Sequence, residues 1–251
     1  MLCVSLTLNQ LFPGMYGSEL RQQLKAYTAE NATTLGYQRA RQEMYGYIYN
    51  DPKDTAVYCI YTGFRMDCRY DWMDENCNSD LNCEHTVPQS FFEKKDPMIS
   101  DMHHLRPTWH SVNSARSDYP FKTLKENEID EYWGNNRTHQ TKKPKDVENW
   151  SALHKAKSFM PREIQRGDTA RAVAYFYCRY PTQAGEIYKT FLNVDDMIDW
   201  DEAHAPTDLQ YAQYLRVVEI QGNRNPFQEE RGLVARAYCD LSKKYPCSNY
   251  K

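Results

Sequence analysis

The sequence predicts an α+β protein, mainly helical, folded as a single domain over residues 1–251. Three observations predict it. Apolar residues recur at helical spacing in several separate segments, and one run, TAVYCIYTG at 55–63, is dense in β-branched and aromatic residues. No internal repeat and no linker divides the chain.

In chain order, residues 18–30 suit a helix, with Ser18 as the cap and Leu20, Leu24 and Tyr27 on one face. A second helical pattern runs over 36–48 and stops before the turn residues Asn50, Asp51 and Pro52. The run at 55–63 reads as a strand stopped by Gly63. Residues 65–85 are polar and cysteine-rich, the pattern of a pinned loop. A short helix is expected from Thr108 as cap, with Trp109, Val112 and Ala115 on one side, which places Asn113 on a helix. The lysine-bearing stretch 122–157 reads as loop. Further helices are expected at 168–179, capped by Asp168, at 208–221 and at 228–243.

Composition narrows the class. Hydrophobic residues are 41% and charged residues 26%, with 10 Gly and 12 Pro, which excludes collagen-like, low-complexity and disordered chains. Lys and Arg number 31 against 34 Asp and Glu, a formal charge of -3, so a polyanion would be bound through a local patch or a metal. No stretch approaches the roughly 18 apolar residues of a membrane span, so no membrane role is expected.

The eight cysteines at 3, 59, 68, 77, 83, 178, 239 and 247 lack the repeated CxxC pairs of a structural zinc site. They read as up to four disulfides, and hence as a secreted or periplasmic protein; free buried thiols of a cytosolic enzyme are the alternative. The opening MLCVSLTLNQLFPG lacks a basic n-region and a full apolar core, so the export signal is expected to be incomplete or absent in this chain. Asn31, Asn136 and Asn149 open N-x-S/T sequons, which matter only in a glycosylating host.

The densest chemistry lies in CEHTVPQS at 83–90 and DMHHLRPTWHSVN at 101–113, which hold Glu84, His85, Asp101, His103, His104, His110 and Asn113. No HExxH helix is present. A zinc site would need three or four converging His, Cys or Asp ligands, whereas a magnesium site needs a few hard oxygens and leaves positions to water and phosphate. Glu84 and Asn113 suit magnesium: one carboxylate and one amide leave the ion with net positive charge to polarise a phosphodiester. His85 titrates near neutrality and can take a proton from attacking water. Neighbours on a regular strand point to opposite faces, so Glu84 and His85 share a site only where the strand bends or ends.

The segment Cys83-Glu84-His85-Thr86-Val87-Pro88-Gln89-Ser90 resembles the active-site motif of the endonuclease I family of non-specific DNA/RNA nucleases, whose core is a ββα-metal, or His-Me finger, unit. Asp101 to Thr108, continued by Val112-Asn113-Ser114 and Arg116, resembles the second block of that family. Residues 166–172 and Gln221-Gly222-Asn223-Arg224-Asn225-Pro226-Phe227 resemble two later ones, in family order. The resemblance implies that His85 is the general base and that Glu84 and Asn113 hold one Mg2+, with Mn2+ or Ca2+ able to substitute in binding. It also implies that DNA, double- or single-stranded, and RNA are cut to 5′-phosphate and 3′-hydroxyl ends, with no obligate protein partner.

Some family members take a phosphate-binding arginine from an insertion after the EH block; here that interval, SFFEKKDPMIS, contains none. Lys94, Lys95, Arg106 and Arg116 are the candidates to contact phosphate instead. Asp101, His103 and His104 are candidates to orient the ligands. The Gly222–Phe227 block reads as a rigid corner, and the acidic run Asp195, Asp196, Asp199, Asp201, Glu202 as a solvated face. Two rival readings are an RNA-preferring ribonuclease and a catalytically weak nucleic-acid-binding protein.

Overall fold

A computed structural model describes residues 10–50, 53, 55–68, 80–134, 137–184, 191 and 193–250. Helix α1 (Gly17–Ala29) buries Leu20, Leu24 and Thr28 along one stripe, as its spacing predicts. It begins at Gly17, so Ser18 lies inside the first turn and supplies no cap. Helix α2 (Tyr37–Glu43) runs on into a π-helical turn, Met44–Ile48. Of the predicted strand at 55–63, only β1 (Ala56–Tyr58) is extended. It turns back at Gly63 (φ +70°) to pair antiparallel with β2 (Arg65–Asp67).

The segment read as pinned loop also contributes a strand. β3 (Leu81–His85) pairs antiparallel with β4 (Leu105–Trp109), with Glu84 opposite Arg106 and His85 opposite Leu105. Helix α3 (His110–Arg116) follows β4 without a break and packs back on both strands. Thr108 belongs to β4 and does not cap α3. The stretch 122–157, expected as loop, holds most of a four-stranded antiparallel sheet: β5 (Glu131–Gly134), β6 (Thr138–Gln140), β7 (Ser151–His154) and β8 (Ser158–Met160), in spatial order β6-β5-β7-β8.

Helix α4 (Glu163–Arg179) is the centre of the helical part, buried from Gly167 through Cys178. A helix buried all round needs no amphipathic stripe. It starts five residues before Asp168, which is therefore an interior residue and not a cap. The single turn α5 (Pro181–Ala184) follows it. Gly167 admits close packing, since a Cβ there would sit 2.1 Å from the His204 carbonyl oxygen. That carbonyl ends α6 (Val194–Ala203), whose acidic run is only partly solvated: Asp201 is buried against Arg171 at 3.1 Å.

Helix α7 (Asp208–Gln221) matches its predicted bounds, with a Thr207–Gln210 capping box and Gly222 in the left-handed region (φ +90°). Helix α8 (Leu233–Tyr238) is shorter than the predicted 228–243. The fold is thus mixed α+β and mainly helical, and β3, β4 and α3 form a ββα unit. Its loop is clamped from α7, where Gln221 Oε1 accepts from the Met102 N–H at 2.7 Å.

Candidate metal and active site

Glu84 lies one residue from the end of β3 and is 2% exposed. The Tyr61 hydroxyl donates to its Oε1 at 2.6 Å, and Arg116 Nε stands 3.2 Å from the same oxygen. The Arg116 contact is an ion pair without hydrogen-bond geometry, since Nε has no hydrogen-bond acceptor. Burial raises the Glu84 carboxyl above its ordinary range, while Arg116 and the Tyr61 hydroxyl pull it down. Oε2 bonds to no described residue and is not fully sealed from solvent.

His85 closes the strand. Its Nε2 lies 3.1 Å from the main-chain carbonyl oxygen of Ile99. A carbonyl can only accept, so Nε2 carries the proton and Nδ1 keeps its lone pair. Unlike the Nδ1 of His104, that of His85 is not sealed off without a partner. The rings of Tyr37, His104 and Phe92 surround it at 5.4, 5.5 and 6.2 Å between centroids. Burial, and then the neighbouring His104, push the imidazole pKa down to about 3, so the ring is neutral near pH 7.

Glu84 and His85 make separate contacts, as alternation requires, but the strand ends at His85 and α3 closes over that end. Arg116 reaches Glu84 through Nε and donates from NH2 to the Thr86 carbonyl at 2.7 Å, so it brackets His85. Its guanidinium also lies 4.5 Å from the Phe121 ring centroid. Asn113 is one turn before Arg116 on α3. Its amide side chain is half-buried and bonds to no described residue. A carboxylate oxygen and an amide oxygen, neither bonded to a described residue, are donors of the kind that fits a hard divalent cation.

The remaining candidates have other partners. Arg106 is buried and bidentate on Asp168, with Nε to Oδ2 at 2.7 Å and NH2 to Oδ1 at 2.9 Å. Its NH1 donates to main-chain carbonyls, the nearest that of Leu105 at 2.9 Å. Asp101 accepts from Gln221, Tyr175 and Tyr180 and pairs with Arg179 at 3.3 Å. The Nε2 atoms of His103 and His104 are 3.1 and 2.7 Å from the Asn223 and Met98 carbonyls. These groups hold the β3–β4 loop to α4 and α7. Lys94 and Lys95 are exposed, Lys95 against Glu93 at 2.5 Å. Arg224, in the corner after α7, is half exposed and paired with Glu229.

Two site contacts carry no sequence signal: the Tyr61 hydroxyl, 23 residues before Glu84, and the Ile99 carbonyl, a main-chain group. Among the described residues, the one grouping of three His, Cys, Asp or Glu ligand atoms is Cys239, Asp240 and Cys247, within 4.8 Å of one another. It can take a metal ion only when reduced, because Cys239 and Cys247 are joined in a disulfide and offer no thiolate. Among the described residues no such grouping includes His103, His104 or Glu84. Cys68 is disulfide-bonded as well, whereas Cys59, Cys83 and Cys178 are buried thiols, which rules out four disulfides. Cys3 and Cys77 lie outside the described residues.

The β3–β4 hairpin and helix α3 form one ββα unit that carries Glu84, His85 and Asn113. The family model for endonuclease I matches residues 16–231. The chain belongs to the endonuclease I family and is a metal-dependent endonuclease. No curated protein matches it. No helix among the described residues is long and apolar enough to cross a membrane.

Proposed function

We propose that this endonuclease uses magnesium, held by Glu84 Oε2 and the Asn113 amide oxygen, to hydrolyse phosphodiester bonds in DNA and RNA without reading sequence. The observation that carries the reading is the His85–Ile99 contact, which leaves Nδ1 of a neutral imidazole as an open acceptor. His85 Nδ1 takes the proton from the water that attacks phosphorus. The bound cation supplies positive charge against the phosphate and the departing 3′ oxygen. Tyr61 and Arg116 hold the Glu84 carboxylate in place, and the departing 3′ oxygen takes a proton from solvent, which leaves 5′-phosphate and 3′-hydroxyl ends.

Arg106 and Arg116 are committed to protein carboxylates and carbonyls. The exposed Lys94 and Lys95 remain as phosphate contacts, and such contacts fix register without selecting bases. The disulfides support the reading that the enzyme works in an oxidising compartment, secreted or periplasmic.

Cleavage of plasmid, single-stranded DNA and RNA in Mg2+, Mn2+, Ca2+ and EDTA tests this. Magnesium-dependent cutting of all three substrates is expected, with a rate that falls as salt rises. Cutting of RNA alone would move the assignment to a ribonuclease, and activity undiminished by EDTA would remove the metal.

A further inference from the structure

A second concavity, about 580 Å³ in volume, opens beside the ββα unit, and neither Glu84, His85 nor Asn113 lines it. It lies among the turn after β1, the start of α4 and the first turns of α7. Its floor is the Arg106–Asp168 pair, which is charge-neutral. Among the described residues no other acidic one lines it, whereas Lys53, Arg162 and Arg216 do.

Arg162 spends its Nε on the Ile60 carbonyl at 2.6 Å, and its two terminal NH2 groups bond to no described residue. The missing side chain of Gly63 makes room for that guanidinium: a Cβ there would come within 2.7 Å of Arg162 NH1. Arg162 is also the N-cap residue of the 17-residue helix α4 and gives it no side-chain cap, so the positive end of that helix adds to the same field. Around the cations the wall is apolar and aromatic. Tyr58, Ile164 and Leu209 line it and are 41%, 51% and 66% exposed, half of the exposed large hydrophobic residues among those described.

Arg216 donates from NH1 to the Tyr47 and Ile48 carbonyls and, like Arg162, pairs with no described carboxylate. Two such guanidinium groups beside an exposed aromatic and aliphatic wall suit a ligand with a flat, weakly polar body and an anionic end. The volume lies in the range that encloses a small organic ligand, roughly 300–1,000 Å³. We infer that this concavity is a nucleotide-binding site separate from the metal centre, taking the base against Tyr58, Ile164 and Leu209 and the phosphate at Arg162 and Arg216. The occupant is a 5′-nucleotide, either free or as an unpaired unit of a bound strand. The choice of nucleotide rests on the endonuclease assignment. The site itself is independent of the metal, and the test is run without one.

Calorimetric titration of the whole protein in EDTA with 5′-deoxyadenylate, deoxyadenosine and inorganic phosphate tests the inference. Saturable binding of the nucleotide is expected, at least tenfold tighter than that of the nucleoside or of phosphate. Arg162→Ala and Leu209→Glu should each weaken it at least tenfold, and Glu84→Gln should leave it unchanged. Leu209 is exposed, so that variant keeps the test valid if Arg162→Ala fails to fold. Displacement by a short single strand assigns the site to substrate strands, and its absence assigns it to free nucleotides. No saturable binding, equal binding of nucleoside and nucleotide, insensitivity to Leu209→Glu, or loss in Glu84→Gln would each overturn the inference.

Discussion

The Nε2 of His85 stands 3.1 Å from the carbonyl oxygen of Ile99, and this contact decides which ring nitrogen can accept a proton. Burial decides the rest. With the pKa pushed down to about 3, the ring stays neutral through the acid limb where an ordinary histidine, near 6.5, would charge. A bound divalent cation shifts it the same way, since it disfavours a second positive charge. Measured on folded enzyme, the pH profile of kcat/KM is therefore expected to show no limb near 6.5. An NMR titration of the His85 ring showing a midpoint near 6.5 would contradict this.

Tyr61 donates at 2.6 Å to the Glu84 oxygen that Arg116 also faces. Tyr61→Phe removes a hydrogen bond that favours the ionised carboxylate, so the Glu84 pKa should rise further. Loss of such an orienting partner typically weakens a metal site by about 10- to 100-fold. Calorimetric Mg2+ affinity is expected to fall by that order, more at pH 6 than at pH 8, with turnover at saturating metal changed far less.

Arg106 and Asp168 are a buried bidentate pair whose removal leaves one charge unmatched. Arg106→Ala is expected to cost about 3–5 kcal/mol of stability. Asp168→Asn should also destabilise, and the double variant should lose less than the sum of the two. Urea unfolding measures all three. An Arg106→Ala variant of native stability but impaired substrate binding would instead make Arg106 a phosphate contact.

Acid stability follows from His85, driven down to about 3 by burial first, and from His103 and His104, both driven down to about 4 by burial and against the pull of Asp101. Their unfolded value is near 6.5, so the unfolded chain binds these protons more readily than the folded one. Their stabilising contribution is whole above pH 6.5 and is lost progressively as pH falls toward 4, and for His85 toward 3. Asp201, raised to about 6 by burial, acts in the opposite sense and offsets part of the loss. The urea midpoint is expected to fall between pH 7 and pH 4.5, and His103→Gln should flatten that fall.

Helix α7 was legible from the sequence because both its ends are written in side chains, the Thr207–Gln210 box and Gly222. Glu84, His85 and Asn113 stand out in the sequence because hard-oxygen and imidazole chemistry admits few residue types, and the fold places the first two at the end of β3 and the third on α3. The sheet β5–β8 was not legible: its strands are three or four residues long, too short for alternation to stand out, and the connections on both sides of β7 carry lysines. The start of α4 was missed because a helix buried all round shows no stripe, which left Asp168 as the apparent cap. Arg106 looked like a phosphate ligand because its counter-ion lies 62 residues away in sequence, on another element. Disulfide number was overread for a similar reason, since Cys59, Cys83 and Cys178 are packed as small apolar groups.

The central claim is that holding the cation and taking the proton are separate tasks of Glu84 with Asn113 and of His85. Mg2+ affinity by calorimetry, measured beside steady-state cleavage for wild type and His85→Ala, tests it directly. The account expects unchanged affinity with turnover reduced by roughly two to four powers of ten. Near-native turnover in His85→Ala, or activity lost only in proportion to lost magnesium binding, would contradict it.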